Sequence, residues 1–367
     1  STGSTDMPPA ILPPRSSFVH AIVADELFAL SPSDRVGLEV EVFIVSDSGH
    51  RHFPEDERVN FYRALAREFD GEFSFGAEGE PVVALRNGGK ITFEPAGQLE
   101  YSGPPFDSSL DASVDAVEFV TRLQRVARSV RMDVVMKGFD DRFEEPPLVV
   151  AKSRYVAMDN YFGRIGDYGR MMMRRTCALQ VNLDFGGLGT NQERWRLANM
   201  IAPALNALFA NSPATRNERA YRSFRYEIWK HADPTRAGRL FDRPDLDPVA
   251  DYVRFALDAR VMFVRLDDGR HVVPTPELTF RRWMSVGWEG RLPTSSDWRR
   301  HLTTLFPDVR PRGWMEVRSI DAQPVEMIGV VASVVAAALY DEACRRDLLR
   351  MLENRDRVAI DDGEHDG

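Results

Sequence analysis

Two-residue alternation of apolar and polar side chains, in segments far apart along the chain, is the feature that most limits its fold. Across residues 37–45, Leu38, Val40, Val42 and Ile44 share one face, and Glu39, Glu41 and Phe43 the other. Residues 177–185 set Leu179, Val181, Leu183 and Phe185 against Gln180, Asn182 and Asp184. Residues 314–320 place Glu316 with Arg318, opposite Met315 and Val317. Across 91–102, Gln98 and Glu100 oppose Leu99 and Tyr101, but Pro95 and Gly97 break the register, so parity leaves Glu94 unplaced. Such alternation marks half-buried strands of an antiparallel sheet. Apolar residues at three- and four-residue steps predict helices at about 16–30, 56–70, 106–131, 191–210, 247–261 and 324–353. Asp107 and Thr190 or Asn191 are the expected N-caps. Strands separated by helices give an α+β fold, an antiparallel sheet with helices packed on its apolar face.

Composition bounds the partners. The 367 residues carry a formal charge of −9, which argues against a nucleic-acid binder held by a broad basic surface. No stretch reaches the roughly 18–20 apolar residues of a membrane span. Cys177 and Cys344 are too few for a disulfide framework, so the expected setting is a reducing cytoplasm. The expected organisation is a disordered lead-in at 1–14, a single catalytic domain at 15–355 and an acidic tail at 356–367, with the oligomeric state left open.

The polar face of the predicted sheet is chemically unusual. It offers Glu39, Glu41, Gln98, Glu100, Gln180, Asn182, Asp184 and Glu316, with Arg318 as its basic residue. The plain alternative is a face turned to water, but solvated faces ordinarily mix both signs of charge. Gathered carboxylates repel one another, and divalent cations relieve that repulsion; hard oxygen ligands suit Mg²⁺ or Mn²⁺. Mg²⁺ keeps positions for water and substrate phosphates, so the pattern suggests a metal–nucleotide site on a sheet floor. There is no G-x-x-x-x-G-K-[ST] loop, and the glycines at 186–189 read as a turn after a strand. No G-x-S-x-G nucleophile elbow occurs. His50 and His52 read as surface residues, and Met171–Met173 as core filler.

Several motifs carry a resemblance. Gly-Leu-Glu-Val-Glu at 37–41 is followed by Glu-Pro-Ala-Gly-Gln-Leu-Glu at 94–100 with Ser-Gly-Pro at 102–104. Then come Arg-Arg-Thr-Cys-Ala-Leu-Gln-Val-Asn-Leu-Asp at 174–184, Asp-Pro-Thr-Arg at 233–236 and Trp-Met-Glu-Val-Arg at 314–318. In this order they resemble the plant-type glutamate–cysteine ligases, above all the bacterial branch that feeds ergothioneine synthesis.

The resemblance implies a glutamine-synthetase-like fold whose curved sheet carries metals on its polar face. It implies ATP, glutamate and cysteine as substrates. The glutamate γ-carboxylate would take the γ-phosphoryl group of ATP, and the cysteine amine would displace phosphate to give γ-glutamylcysteine. It further implies Mg²⁺ (or Mn²⁺) held by Glu39, Glu41, Glu94, Glu100, Gln180 and Glu316. Arg318 and Glu316 would be catalytic, and Arg236, Arg175, Asn182 and Gln98 would bind substrate or phosphate. A close relative using another amine or acid, or a non-catalytic nucleotide-binding protein on the same fold, are the alternatives. Two departures stand out: Ala96 where the family usually has glycine, and Tyr101, expected to add a hydroxyl near the site entrance, where leucine is usual.

Overall fold

Val36–Ser46 forms the central strand, β1, and everything else in the sheet is placed by its alternation. The computed structural model describes residues 11–12, 16–46, 53–142, 145–238, 241, 243 and 247–363. Around β1 lie β2 (Glu72–Phe75), β3 (Pro81–Ala84), β4 (Lys90–Phe93), β5 (Leu99–Ser102), β6 (Met132–Val135), β7 (Leu179–Leu183), β8 (Val309–Pro311) and β9 (Met315–Val317). The order is β8-β9-β7-β1-β5-β4-β3-β2, with β6 beside the far half of β1, and every pairing is antiparallel. Two small hairpins stand apart from this sheet.

The apolar face behaves as its alternation requires. Leu38, Val40, Val42, Leu99, Tyr101, Leu179, Val181 and Leu183 are buried in one large cluster with Phe119, Val120 and Leu123 of the helix Ser109–Ser129. The helix Ile328–Tyr340 joins them through Ile328, Val331, Val335 and Leu339. Tyr101 therefore points away from the polar face: it stacks on Phe119 at 3.9 Å and donates its hydroxyl to Asp115. The expected hydroxyl at the site entrance is a core group instead, because residue 101 has the parity of Leu99 rather than Glu100.

The cap of the long helix is Ser108, one residue after the expected Asp107, with its hydroxyl accepting from Asp111 N–H. The helix Thr190–Leu208 begins after Gly189 at φ 83°, where a left-handed residue makes the bend that a Thr or Asn cap was expected to make. Within the expected lead-in, Leu12 is fully buried and its N–H bonds the carbonyl of Pro293. Residues 1–10, 13–14 and 364–367 lie outside the described residues, as do His50 and His52. The last helix runs Glu342–Gly363, into the segment expected as an acidic tail.

A second apolar cluster lies across the polar face. Helices Ser153–Ile165, Tyr168–Arg175 and Phe224–Ala232 supply Met158, Phe162, Met172, Met173, Phe224 and Ile228 to it. Between this cluster and the sheet is the site.

Candidate functional site

The pleat delivers side chains from six strands to one surface in three cross-strand rows. Arg310, Glu316, Asn182 and Gly37 are consecutive partners across β8, β9, β7 and β1. Gln180, Glu39, Ser102 and Lys90 form the next row, from β7 to β4. Glu41, Glu100 and Thr92 form the third. Beyond Glu41 the surface closes, because Phe43 is buried against Val45, Cys177 and Ala322.

Above these rows is a cavity of about 650 Å³. Its floor includes Glu39, Glu41, Glu94, Glu100, Gln180 and Asn182; Met158, Met172, Met173, Trp229 and Phe306 of the second cluster face them. Glu94, which parity could not place, sits in the β4–β5 turn. That turn has the hydrogen bonds Gly97 N–H to Glu94 C=O and Glu94 N–H to Gln98 C=O, both 2.8 Å. Gly97 takes φ 85°, whereas Ala96 is not among the positive-φ residues. This three-residue loop puts its left-handed residue at 97, so alanine at 96 needs no unusual backbone.

Charge is divided within the cavity. On one side, burial and then the neighbours Glu316 and Glu100 push the Glu39 carboxyl up to about 7. Burial followed by Glu100 and Glu41 pushes Glu94 up to about 8. Glu41 and Glu100 are also raised, chiefly by burial. On the other side, three guanidiniums converge on Glu316. Arg310 reaches it at 2.6 and 3.1 Å, Arg312 at 2.7 Å and Arg318 at 2.6 Å. Burial alone would raise Glu316, but Arg310 and Arg318 hold it well below the usual carboxylate range. Gln180 joins the two sides, donating its amide to Glu41 at 2.7 Å and accepting from Arg318 at 3.1 Å.

Several expected roles change with this geometry. Glu316 is fully buried and saturated by arginine, so it anchors cations of the protein rather than presenting free oxygens. Arg236 is not in the cavity wall. It is fully buried, paired with Asp233 at 2.8 Å and bonded to Thr304 and the Arg260 carbonyl. Arg175 is likewise turned away, donating to the carbonyls of Asp140 and Arg142. Both arginines close loops onto the second cluster, a use of guanidinium that sequence spacing does not distinguish from anion binding. Gln98 lines the cavity, yet its amide is occupied by the Met173 and Thr176 carbonyls and Ala96 N–H. Asn182 donates to Glu39 at 2.9 Å, and its Oδ1 is buried without a partner.

Among the described residues, no three or more Asp, Glu, His or Cys side chains stand in position to hold one metal ion. The expected glutamate cluster is thus one cavity but not one chelate. Glu39, Glu41 and Glu100 have each turned to a protein donor: Asn182, Ala178 N–H with Gln180, and Thr92 respectively. Sequence reading missed Arg310 and Arg312. Their signal was a hairpin about Gly313, at φ 82°, whose register puts Arg310 opposite Glu316.

The match to known proteins agrees with this arrangement of residues. The model of glutamate–cysteine ligase family 2 matches residues 35–362. The chain belongs to that family. It is 32% identical to the chloroplastic glutamate–cysteine ligase of Brassica juncea over 322 residues, 86% of this chain and 62% of that protein. It is 32% identical to the Solanum lycopersicum enzyme over 324 residues, 86% of this chain and 61% of the relative. The chain thus spans about three-fifths of the length of these family members. A bifunctional glutathione synthetase from Pasteurella multocida superposes with a TM-score of 0.47 and 15% identity, over 91% of this chain and 43% of its own. Among the described residues no single helix is long and apolar enough to cross a membrane.

Proposed function

We propose that the chain is an ATP-dependent ligase joining the γ-carboxylate of glutamate to the amine of cysteine, with ADP and phosphate as co-products. The observation that carries this reading is the division of charge in one cavity. Glu39, buried, and Glu41, Glu94 and Glu100, half-buried, crowd one side, where among the described residues only Arg312 is near, 4.0 Å from Glu39, while three guanidiniums share the single carboxylate of Glu316. Phosphoryl transfer needs both halves, because charge must be neutralised on a polyphosphate while an acyl acceptor is held in line.

Glu39, Glu41, Glu94 and Glu100 fit divalent cations by donor chemistry, and their raised pKa values are the mark of carboxylates that such ions would relieve. Mg²⁺ is the preferred ion, with Mn²⁺ as its substitute; when bound it would neutralise phosphate oxygens. Arg318, fixed by Gln180 and Glu316, is placed to stabilise charge on the transferring phosphoryl group. Arg310 and Arg312 supply further positive potential beside it. The cavity wall of Met158, Met172, Met173, Trp229 and Phe306 excludes water from the acyl phosphate. Assignment to the branch feeding ergothioneine synthesis rests on the motif resemblance. A cytoplasmic setting is supported by Cys177 and Cys344, which are both free thiols.

Phosphate release and product mass with Mg²⁺-ATP, glutamate and a panel of amines test the reading. A cysteine-dependent γ-glutamyl product is expected. Equal or greater turnover with another amine would replace cysteine, and no ATP turnover with any acid–amine pair would overturn the ligase.

A further inference from the structure

The helix Ser153–Ile165 begins without a cap of its own. Lys152 stands at its N-cap position and makes no side-chain bond to the first turn, so the free N–H groups of the helix start must find acceptors elsewhere. Ser153 N–H finds one in the Glu78 carboxylate at 2.6 Å, 75 residues earlier in the turn between β2 and β3. A carboxylate there also meets the positive end of the helix dipole. The turn is braced for this contact: the Glu80 carboxylate accepts from Glu78 N–H at 3.0 Å and pairs with Lys152 at 3.2 Å.

From the other side comes His271, in the small hairpin that pairs Val264 and Arg265 with His271 and Val272. Its backbone N–H donates to Ser153 Oγ at 3.3 Å, and its Nδ1 lies 2.9 Å from the same oxygen. The imidazole stands edge-on to Phe263 at 4.8 Å, so packing fixes its direction. At Ser153, then, the N–H is claimed by one distant element and the hydroxyl by another.

None of Glu78, Ser153 and His271 lines the main cavity, but Arg154, Tyr155 and Met158, which follow Ser153, do. The helix is held differently along its length. Ala157, Met158, Tyr161 and Phe162 are buried in the second cluster, and the Tyr161 hydroxyl donates to Asp233. Residues 152–156 are half-buried or exposed, and a helix start in that position frays unless bonds from outside hold it.

We propose that Glu78 and His271 are positioning residues, which clasp Ser153 between the β2–β3 turn and the small hairpin and so fix the first turns of the helix that roofs the cavity. The effect on turnover rests on the ligase reading; the clasp itself does not.

Glu78→Ala, His271→Ala and their double variant give the test, with Glu78→Gln and His271→Asn as conservative controls. Gln keeps an acceptor for Ser153 N–H, and Asn keeps a polar atom near the place of Nδ1. In the alanine variants hydrogen exchange should quicken at least about fivefold at the amides of 153 and 156–158 and stay unchanged at 162–165. The melting temperature should fall by no more than about 2 °C, since the second cluster is untouched. A displaced cavity wall misplaces the substrate, so kcat/KM should drop about tenfold, and the conservative variants should return to within about threefold of the parent. Because both residues hold the same Ser153, the double variant should lose no more than about threefold beyond the worse single variant. Unchanged exchange at 153–158 would overturn the clasp. Faster exchange with kcat/KM within about twofold of the parent, or losses that multiply in the double variant, would overturn the positioning role. If the parent shows no turnover, the melting shift with Mg²⁺-ATP and glutamate together replaces kcat/KM. It should shrink by about half or more in the alanine variants, and an undiminished shift would overturn the role, so failure of the ligase reading and failure of the clasp are separable.

Discussion

Glu41 and Glu100 stand directly opposite each other on adjacent antiparallel strands, a placement that like charges in a sheet normally avoid. Neither has a cation in contact: Glu41 accepts from Ala178 N–H and Gln180, and Glu100 from Thr92 and Ser102. The repulsion is held in place by the apolar residues between and behind them, Val40, Val42, Leu99 and Tyr101, all buried.

Removing one of the opposed charges should therefore stabilise the metal-free protein while destroying its chemistry. Glu100→Gln is expected to raise the melting temperature in EDTA by about 2–4 °C, corresponding to about 1 kcal/mol. Turnover should fall at least about a hundredfold. Calorimetry paired with phosphate release would check this, and a lowered melting point would contradict the stored repulsion.

Glu316→Gln should do the reverse to stability. It leaves Arg310, Arg312 and Arg318 without the carboxylate that all three share, and uncompensated buried charge costs about 3–5 kcal/mol. Urea unfolding should show a lower midpoint at unchanged slope, opposite in sign to Glu100→Gln. If the two variants shift the same way, the anchoring role of Glu316 is wrong.

The raised carboxyls set a pH dependence whose sign follows from linkage. Glu39 at about 7 and Glu94 at about 8 bind protons in the folded state that an ordinary glutamate at 4.5 has already lost. Their contribution is full below the unfolded value and is lost as pH rises from about 4.5 through about 8. Glu316, lowered instead, contributes fully above 4.5, and its contribution fades only as pH falls below that value. In EDTA the melting temperature should thus decline between pH 5.5 and 8.5, and Mg²⁺ should restore most of the loss. A flat profile without metal would refute the raised carboxyls of Glu39 and Glu94.

Arg236→Met should lower stability without altering substrate affinity. Asp233 is fully buried, and the change strips it of its closest cation, a loss of about 3–5 kcal/mol. KM values for ATP and glutamate, measured at low temperature on the folded fraction, should stay within about twofold. A large rise in either would return Arg236 to the substrate site.

The β4–β5 loop separates two neighbouring positions cleanly. Gly97→Ala should cost about 1–2 kcal/mol, because an L-residue is strained at φ 85° although Val149 leaves room at 3.6 Å. Ala96→Gly should cost only about 0.4–1 kcal/mol, through unfolded-state entropy. Denaturant midpoints of the two variants decide it.

The centre of the sheet was legible because β1, β5, β7 and β9 alternate: parity alone placed Glu39, Glu41, Glu100, Gln180 and Asn182 on one face, whereas the short strands β2, β3, β6 and β8 gave no such run. Parity also contained the correct side for Tyr101, which the comparison with a family leucine obscured. Long helices were readable from their spacing, except that the run expected as one helix at 324–353 breaks at Asp341 into Ile328–Tyr340 and Glu342–Gly363, because Asp341 takes an extended backbone. Those at Ser153–Ile165, Tyr168–Arg175 and Phe224–Ala232 were not, since their apolar residues face a second cluster that exists only once distant segments meet. For the same reason Arg175 and Arg236 read as anion binders: a guanidinium bound to backbone carbonyls leaves no trace in one dimension.

The alternation of β1 has a further consequence for how such a chain can change over time. Val40 holds the core and Glu41 serves the cavity, one peptide unit apart. Deleting or inserting a single residue in this strand would exchange the two sets wholesale, wetting the interior and greasing the reaction chamber at once. Substitutions can tune this strand one position at a time, but its length is not open to revision.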